Sequence, residues 1–158
     1  MILTDILSCD RIEVDRGGAE LRTKDSVLRA AADLLARGQS EATAEEFFRV
    51  LGEREALLST GVGNGIAIPH AALDKVALQR GAVLIFRQGV EFAAVDGRPV
   101  HIVFAVVGPK GATGEHLKVL GRVSHLLRDS SFREKLISSK DQTEAFDLIR
   151  SAEEGRAA

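Results

Sequence analysis

The chain has 158 residues, is 45% hydrophobic and carries a net charge of −2 with its acidic and basic residues interspersed. That length suits one domain able to bury roughly two thirds of its unfolded surface, and the balanced charge leaves no footprint for nucleic acid or an anionic membrane. A single cysteine, Cys9, excludes an intrachain disulfide, and no Cys/His cluster has the spacing of zinc ligands. Met1-Ile2-Leu3-Thr4-Asp5 breaks its apolar run too early for a signal segment, and no stretch approaches the roughly 20 apolar residues of a membrane span. A soluble protein of the reducing cytoplasm is expected, with Cys9 a small buried or half-buried hydrophobe.

Along the chain, Thr23 caps a predicted helix in which Val27, Ala31, Leu34 and Leu35 form one stripe and Gly38 follows the end. Thr43-Ala44-Glu45-Glu46 is a capping box, after which Phe47, Val50 and Leu51 supply a buried face. Residues 81–87 and 99–107 read as strands. In the second, Ile102, Phe104 and Val106 alternate with Val103, Ala105 and Val107, so both faces are apolar and the strand is central. Asp96-Gly97 between runs 90–95 and 99 onward predicts a tight antiparallel turn. Helices are expected over 113–128, 131–138 and 141–150, and a frayed tail over 151–158. These elements predict one α/β domain spanning 1–150, a mixed sheet flanked by helices.

The run from Ser59 to His70, Ser-Thr-Gly-Val-Gly-Asn-Gly-Ile-Ala-Ile-Pro-His, is the most specific string in the chain. Gly61, Gly63 and Gly65 can adopt positive φ and let the segment offer several backbone N–H groups to an oxyanion, and Pro69 stiffens the backbone before His70. A Walker A loop would need Lys-Ser/Thr after Gly65, where Ile66-Ala67 stands, and a dinucleotide fingerprint would need a helix there instead of an extended run ending in proline. By itself His70 is either a turn histidine or a nucleophile able to accept and release a phosphoryl group.

Three other histidines are present. On a helix, His116 shares an arc of about 40° with Leu120, Val123 and Leu127, three residues after the expected cap Thr113. It is either a satisfied core histidine or a neutral donor to a phosphoryl oxygen. His125 falls about 180° away and faces water, and His101 has no assigned role. Arg54 extends the Phe47–Leu51 stripe, so its guanidinium emerges at the helix end, either offsetting the dipole or clamping a phosphoryl group.

Arg54-Glu55, Ser59-Thr60-Gly61 and Gly-Asn-Gly-Ile-Ala-Ile-Pro-His-Ala at 63–71 together resemble the phosphohistidine segment of enzyme IIA proteins of the bacterial phosphoenolpyruvate phosphotransferase system, fructose/mannitol class. The Gly-Asn-Gly form and the chain length are most similar to the nitrogen-regulatory branch. The resemblance implies that His70 takes a phosphoryl group through Nε2 from an HPr-like carrier. It also implies that His116 and Arg54 hold the oxygens, with Ser59, Thr60, Gly63, Asn64 and Gly65 as weaker supports, and that neither cofactor nor metal takes part. Partners implied are regulatory proteins or, in a sugar-specific alternative, a separate enzyme IIB, whose proline-loop cysteine Ser8-Cys9-Asp10 does not reproduce. A third alternative is a binding module that is never phosphorylated.

Overall fold

A computed structural model describes residues 2–15 and 23–157. Helix α1 (Leu3–Ile6) and a 3-10 turn at Cys9–Arg11 lead into β1 (Ile12–Asp15), then α2 (Lys24–Ala36) and α3 (Ala44–Leu57). The short strands β2 (Gly61–Gly63), β3 (Ile66–Ala67) and β4 (His70–Ala72) precede the long β5 (Arg80–Val90) and β6 (Val100–Gly108), and α4 (Thr113–Leu127), α5 (Ser130–Ile137) and α6 (Gln142–Ala157) close the chain.

The strands lie in the order β1-β5-β6-β3-β2, with β4 also paired to β6. Both β3 and β4 run parallel to β6, end to end along one of its edges, while β5 runs antiparallel along the other. Alternation along β6 divides the core as the sequence predicts. Ile102, Phe104 and Val106 pack with α1, α4, α5 and α6, whereas Val103, Ala105 and Val107 pack with α2 and α3. The result is a three-layer α/β domain with a mixed sheet in the middle.

The helix caps follow local chemistry. Thr23 accepts from the Ser26 N–H and Thr43 from the Glu46 N–H, with the Glu46 carboxylate returning to the Thr43 N–H. Three sequence expectations are corrected. Residues 91–95 are not a strand, because Ala93 takes a left-handed φ of 51° and its N–H turns to the Glu91 side chain; the antiparallel pairing resumes at Val90 and Val100 across a longer loop. Thr113 does not cap α4, since Ala112 occupies that position without a side-chain acceptor. Residues 151–157 of the expected tail are helical: α6 continues to Ala157, Ala152 packs on the core, and the Glu153 carboxylate accepts the Leu3 and Thr4 N–H groups at 2.6 and 3.2 Å, while Ala158 lies outside the described residues.

Candidate active site

His70 opens β4 opposite Val106, which places its side chain on the α4 face of the sheet. Its Nδ1 lies 2.7 Å from the Ile68 carbonyl oxygen. A carbonyl only accepts, so Nδ1 carries the proton and the neutral ring keeps a lone pair on Nε2. That carbonyl is available for a specific reason. Thr60 stands opposite Ile68 in the antiparallel register set by Gly61 and Ala67, and the Thr60 carbonyl accepts the Ile68 N–H at 3.0 Å. The reciprocal bond of such a pair would send the Thr60 N–H to the Ile68 carbonyl. Instead the Thr60 N–H donates to both oxygens of the Glu55 carboxylate, at 3.1 and 3.0 Å, and the Thr60 hydroxyl donates to the same group. Glu55 is only 7% exposed and is neutralised by Lys24 Nζ at 2.9 Å. A buried carboxylate thus diverts one backbone donor and leaves the Ile68 carbonyl to orient His70.

The second imidazole comes from α4. The His70 and His116 rings stand 5.9 Å apart, centre to centre, tilted by 46°. Burial, reinforced by the neighbouring His70 ring, holds the His116 imidazole below its ordinary pKa and so keeps it neutral near pH 7. Its Nδ1 lies 2.7 Å from the side-chain oxygen of Gln79. The sequence gives no sign of this contact, because a lone glutamine between Leu78 and Arg80 fits no motif.

The other expected site residues are arranged differently. Arg54 donates to the Leu58 carbonyl at 2.9 Å, the cation-to-carbonyl contact of a helix C-terminus. The groove it lines includes Ala71 and Ala72 but neither imidazole. The Ser59 hydroxyl donates to the Phe92 carbonyl and accepts the Gly61 N–H, and the Thr60 hydroxyl is buried on Glu55, so both are scaffold bonds.

The glycine turn is further away still. The Gly65 carbonyl accepts from the His101 and Ile102 N–H groups, whereas His70 stands opposite Val106, so the two lie about 15 Å apart along β6 at ~3.3 Å per residue. Gly63, Asn64 and Gly65 all have positive φ and close the β2–β3 turn, with the Asn64 N–H bound to Asp96. They cannot cradle a group on His70.

His101 is wedged between Gly65 and Gly89, with its Nδ1 2.9 Å from the Phe86 carbonyl. His125 is exposed, as expected, and Cys9 is half-buried against the Thr143 hydroxyl at 3.6 Å.

Fold and site together define an α/β domain that presents one imidazole held by its Nδ1 on a backbone carbonyl, with Nε2 turned away from that bond, beside a second imidazole kept neutral by burial. Residues 5–152 match the model of the family described as phosphoenolpyruvate-dependent sugar phosphotransferase system, EIIA 2, and the chain belongs to that family. It is 34% identical over 151 residues to a nitrogen regulatory protein of Bradyrhizobium diazoefficiens, covering 94% of this chain and 95% of the relative. It is 30% identical to the fructose-specific EIIABC component of Bacillus subtilis, across 94% of this chain but 23% of that much longer protein. The crystal structure of nitrogen regulatory protein IIA-Ntr from Neisseria meningitidis superposes with a TM-score of 0.82 at 35% identity, covering 92% of this chain and 97% of that one. Among the described residues no helix is long and apolar enough to cross a membrane.

Proposed function

We propose that this protein is a phosphoryl carrier in which His70 Nε2 accepts the group from the phosphohistidine of an HPr-like protein. The observation that carries the reading is the bond from His70 Nδ1 to the Ile68 carbonyl, which leaves the nucleophilic lone pair on Nε2 next to a second neutral imidazole. Transfer of a phosphoryl group is mainly a matter of positioning and charge stabilisation, and the site supplies positioned nitrogen atoms without needing a cofactor. Arg54 enters as a cation that would release the Leu58 carbonyl to reach the phosphoryl oxygens around the edge of β4. Similarity to nitrogen regulatory proteins over nearly their whole length favours a regulatory output in the cytoplasm. Similarity to a fructose-specific component favours a second reading, in which the group passes to an enzyme IIB.

The test is labelling with radioactive phosphoenolpyruvate, enzyme I and an HPr-type carrier. Wild type and His125→Ala are expected to take up acid-labile label at equal rates, and His70→Ala none. Label retained on His70→Ala would overturn the assignment.

A further inference from the structure

Gln79 lies on the segment entering β5, is 4% exposed, and binds His116 Nδ1 through its side-chain oxygen, yet its amide nitrogen has no hydrogen-bond partner. Gly108, at the end of β6, makes the space, since a Cβ there would fall 2.2–2.4 Å from the Gln79 amide atoms. An apolar side chain of similar volume would fill this place without leaving a donor unpaired, so Gln79 is a poor stability device. Its effect lies in what it does to His116.

We propose that Gln79 is a positioning residue whose carbonyl oxygen fixes the resting His116 proton on Nδ1 and retains that N–H when His116 gains a second proton, on Nε2, to bind the phosphoryl group carried by His70. This rests on the carrier reading above.

An amide oxygen only accepts, so the resting ring holds its hydrogen on Nδ1 and a lone pair on Nε2. A lone pair repels a phosphoryl oxygen, whereas an N–H binds it. In the transfer, the donor's N–P bond breaks and its electron pair returns to the donor nitrogen. The lone pair of His70 Nε2 forms the new N–P bond, and Nδ1–H stays on the Ile68 carbonyl. With Nδ1–H retained, the phosphorylated His70 ring is cationic while its phosphoryl oxygens carry up to about two negative charges, a net gain of about one negative charge, and one proton from solvent enters at His116 Nε2 to offset it. The imidazolium then donates Nε2–H to the phosphoryl group and Nδ1–H to Gln79, and a hydrogen bond to the charged form favours that form.

The groups around His116 leave this role to Gln79. From β4 the facing titratable group is His70, which together with burial opposes protonation in the resting protein. On α4 the neighbours Glu115 and Lys118 are exposed. Lys110, in the loop before α4, is paired with Asp74 at 3.6 Å, and Arg54 on α3 is engaged by the Leu58 carbonyl.

The experiment is imidazole nitrogen NMR on resting and phosphorylated protein, read across pH for wild type, Gln79→Met and Gln79→Glu. Resting wild type is expected to show His116 neutral with Nδ1–H, and phosphorylated wild type to show both nitrogens protonated. In phosphorylated Gln79→Met the second proton should leave His116 about one pH unit lower, a tenfold weaker hold, and transfer near pH 7 should slow to match. Gln79→Glu, which keeps the acceptor and adds charge, should move that titration upward. A resting His116 with its proton on Nε2, or an unchanged titration in Gln79→Met, overturns the proposal. Absence of label on wild-type His70 overturns the carrier reading and the second protonation with it, while label with an unchanged titration overturns the role of Gln79 alone.

Discussion

The imidazole of His70 owes its tautomer to a residue that it does not touch. Glu55 takes the Thr60 N–H, Thr60 gives only its carbonyl to Ile68, and the Ile68 carbonyl is left for His70. Replacing Glu55 with alanine would strand the Thr60 N–H and hydroxyl in a buried site and leave Lys24 without its partner. The expected loss is about 3 kcal/mol, seen as a lower urea midpoint. The freed Thr60 N–H should then compete for the Ile68 carbonyl, so the folded variant should also accept phosphoryl label more slowly than wild type. A folded Glu55→Ala protein with normal labelling would show that the diversion does not matter to the chemistry. Glu55 was visible in the sequence only as the neighbour of Arg54. Its role depends on which backbone group stands opposite it after folding, and no periodicity encodes that.

At the level of elements, legibility tracks how local the determinants are. The capping boxes at Thr23 and Thr43 rest on contacts three residues apart, and β6 carries its central position in its own alternation, so all three could be read directly. The 91–99 loop could not, because a left-handed Ala93 goes against its residue type. Nor could the course of α6 beyond Arg150, where Ala152 and Glu153 are held by distant partners. Its last turns cap α1 through Glu153 and pack Ala152 on the core. Glu153→Ala is expected to cost about 1 kcal/mol, and removal of residues 151–158 somewhat more, through loss of these contacts. Thermal unfolding would show this as a drop of several degrees. Equal melting of the truncated and full chains would mean that the tail only decorates the domain.

For the whole molecule, the surroundings of the two imidazoles shape how a partner could sense the carried group. Leu117 and Leu78, which adjoin His116 and Gln79 in the chain, are 62% and 72% exposed, and Leu57 in the Arg54 groove is 81% exposed. Adding about two negative charges beside apolar surface makes burial of that surface costly. A regulatory target that docks here is therefore expected to bind unmodified protein and to release it on phosphorylation. The check is titration calorimetry with a candidate target against resting and phosphorylated protein, with His70→Asp as a partial mimic. If only an enzyme IIB binds, and deleting the gene impairs growth on one sugar alone, the sugar-transfer reading holds.

The glycine hairpin and His70 lie at opposite ends of one strand, about 15 Å apart. One end closes the sheet and the other holds the imidazoles, so each can change without the other. A descendant of such a chain could lose both imidazoles and still fold identically, with every glycine in place. Likeness in that string therefore certifies ancestry and shape, and an inert relative would pass inspection until its two histidine positions were read.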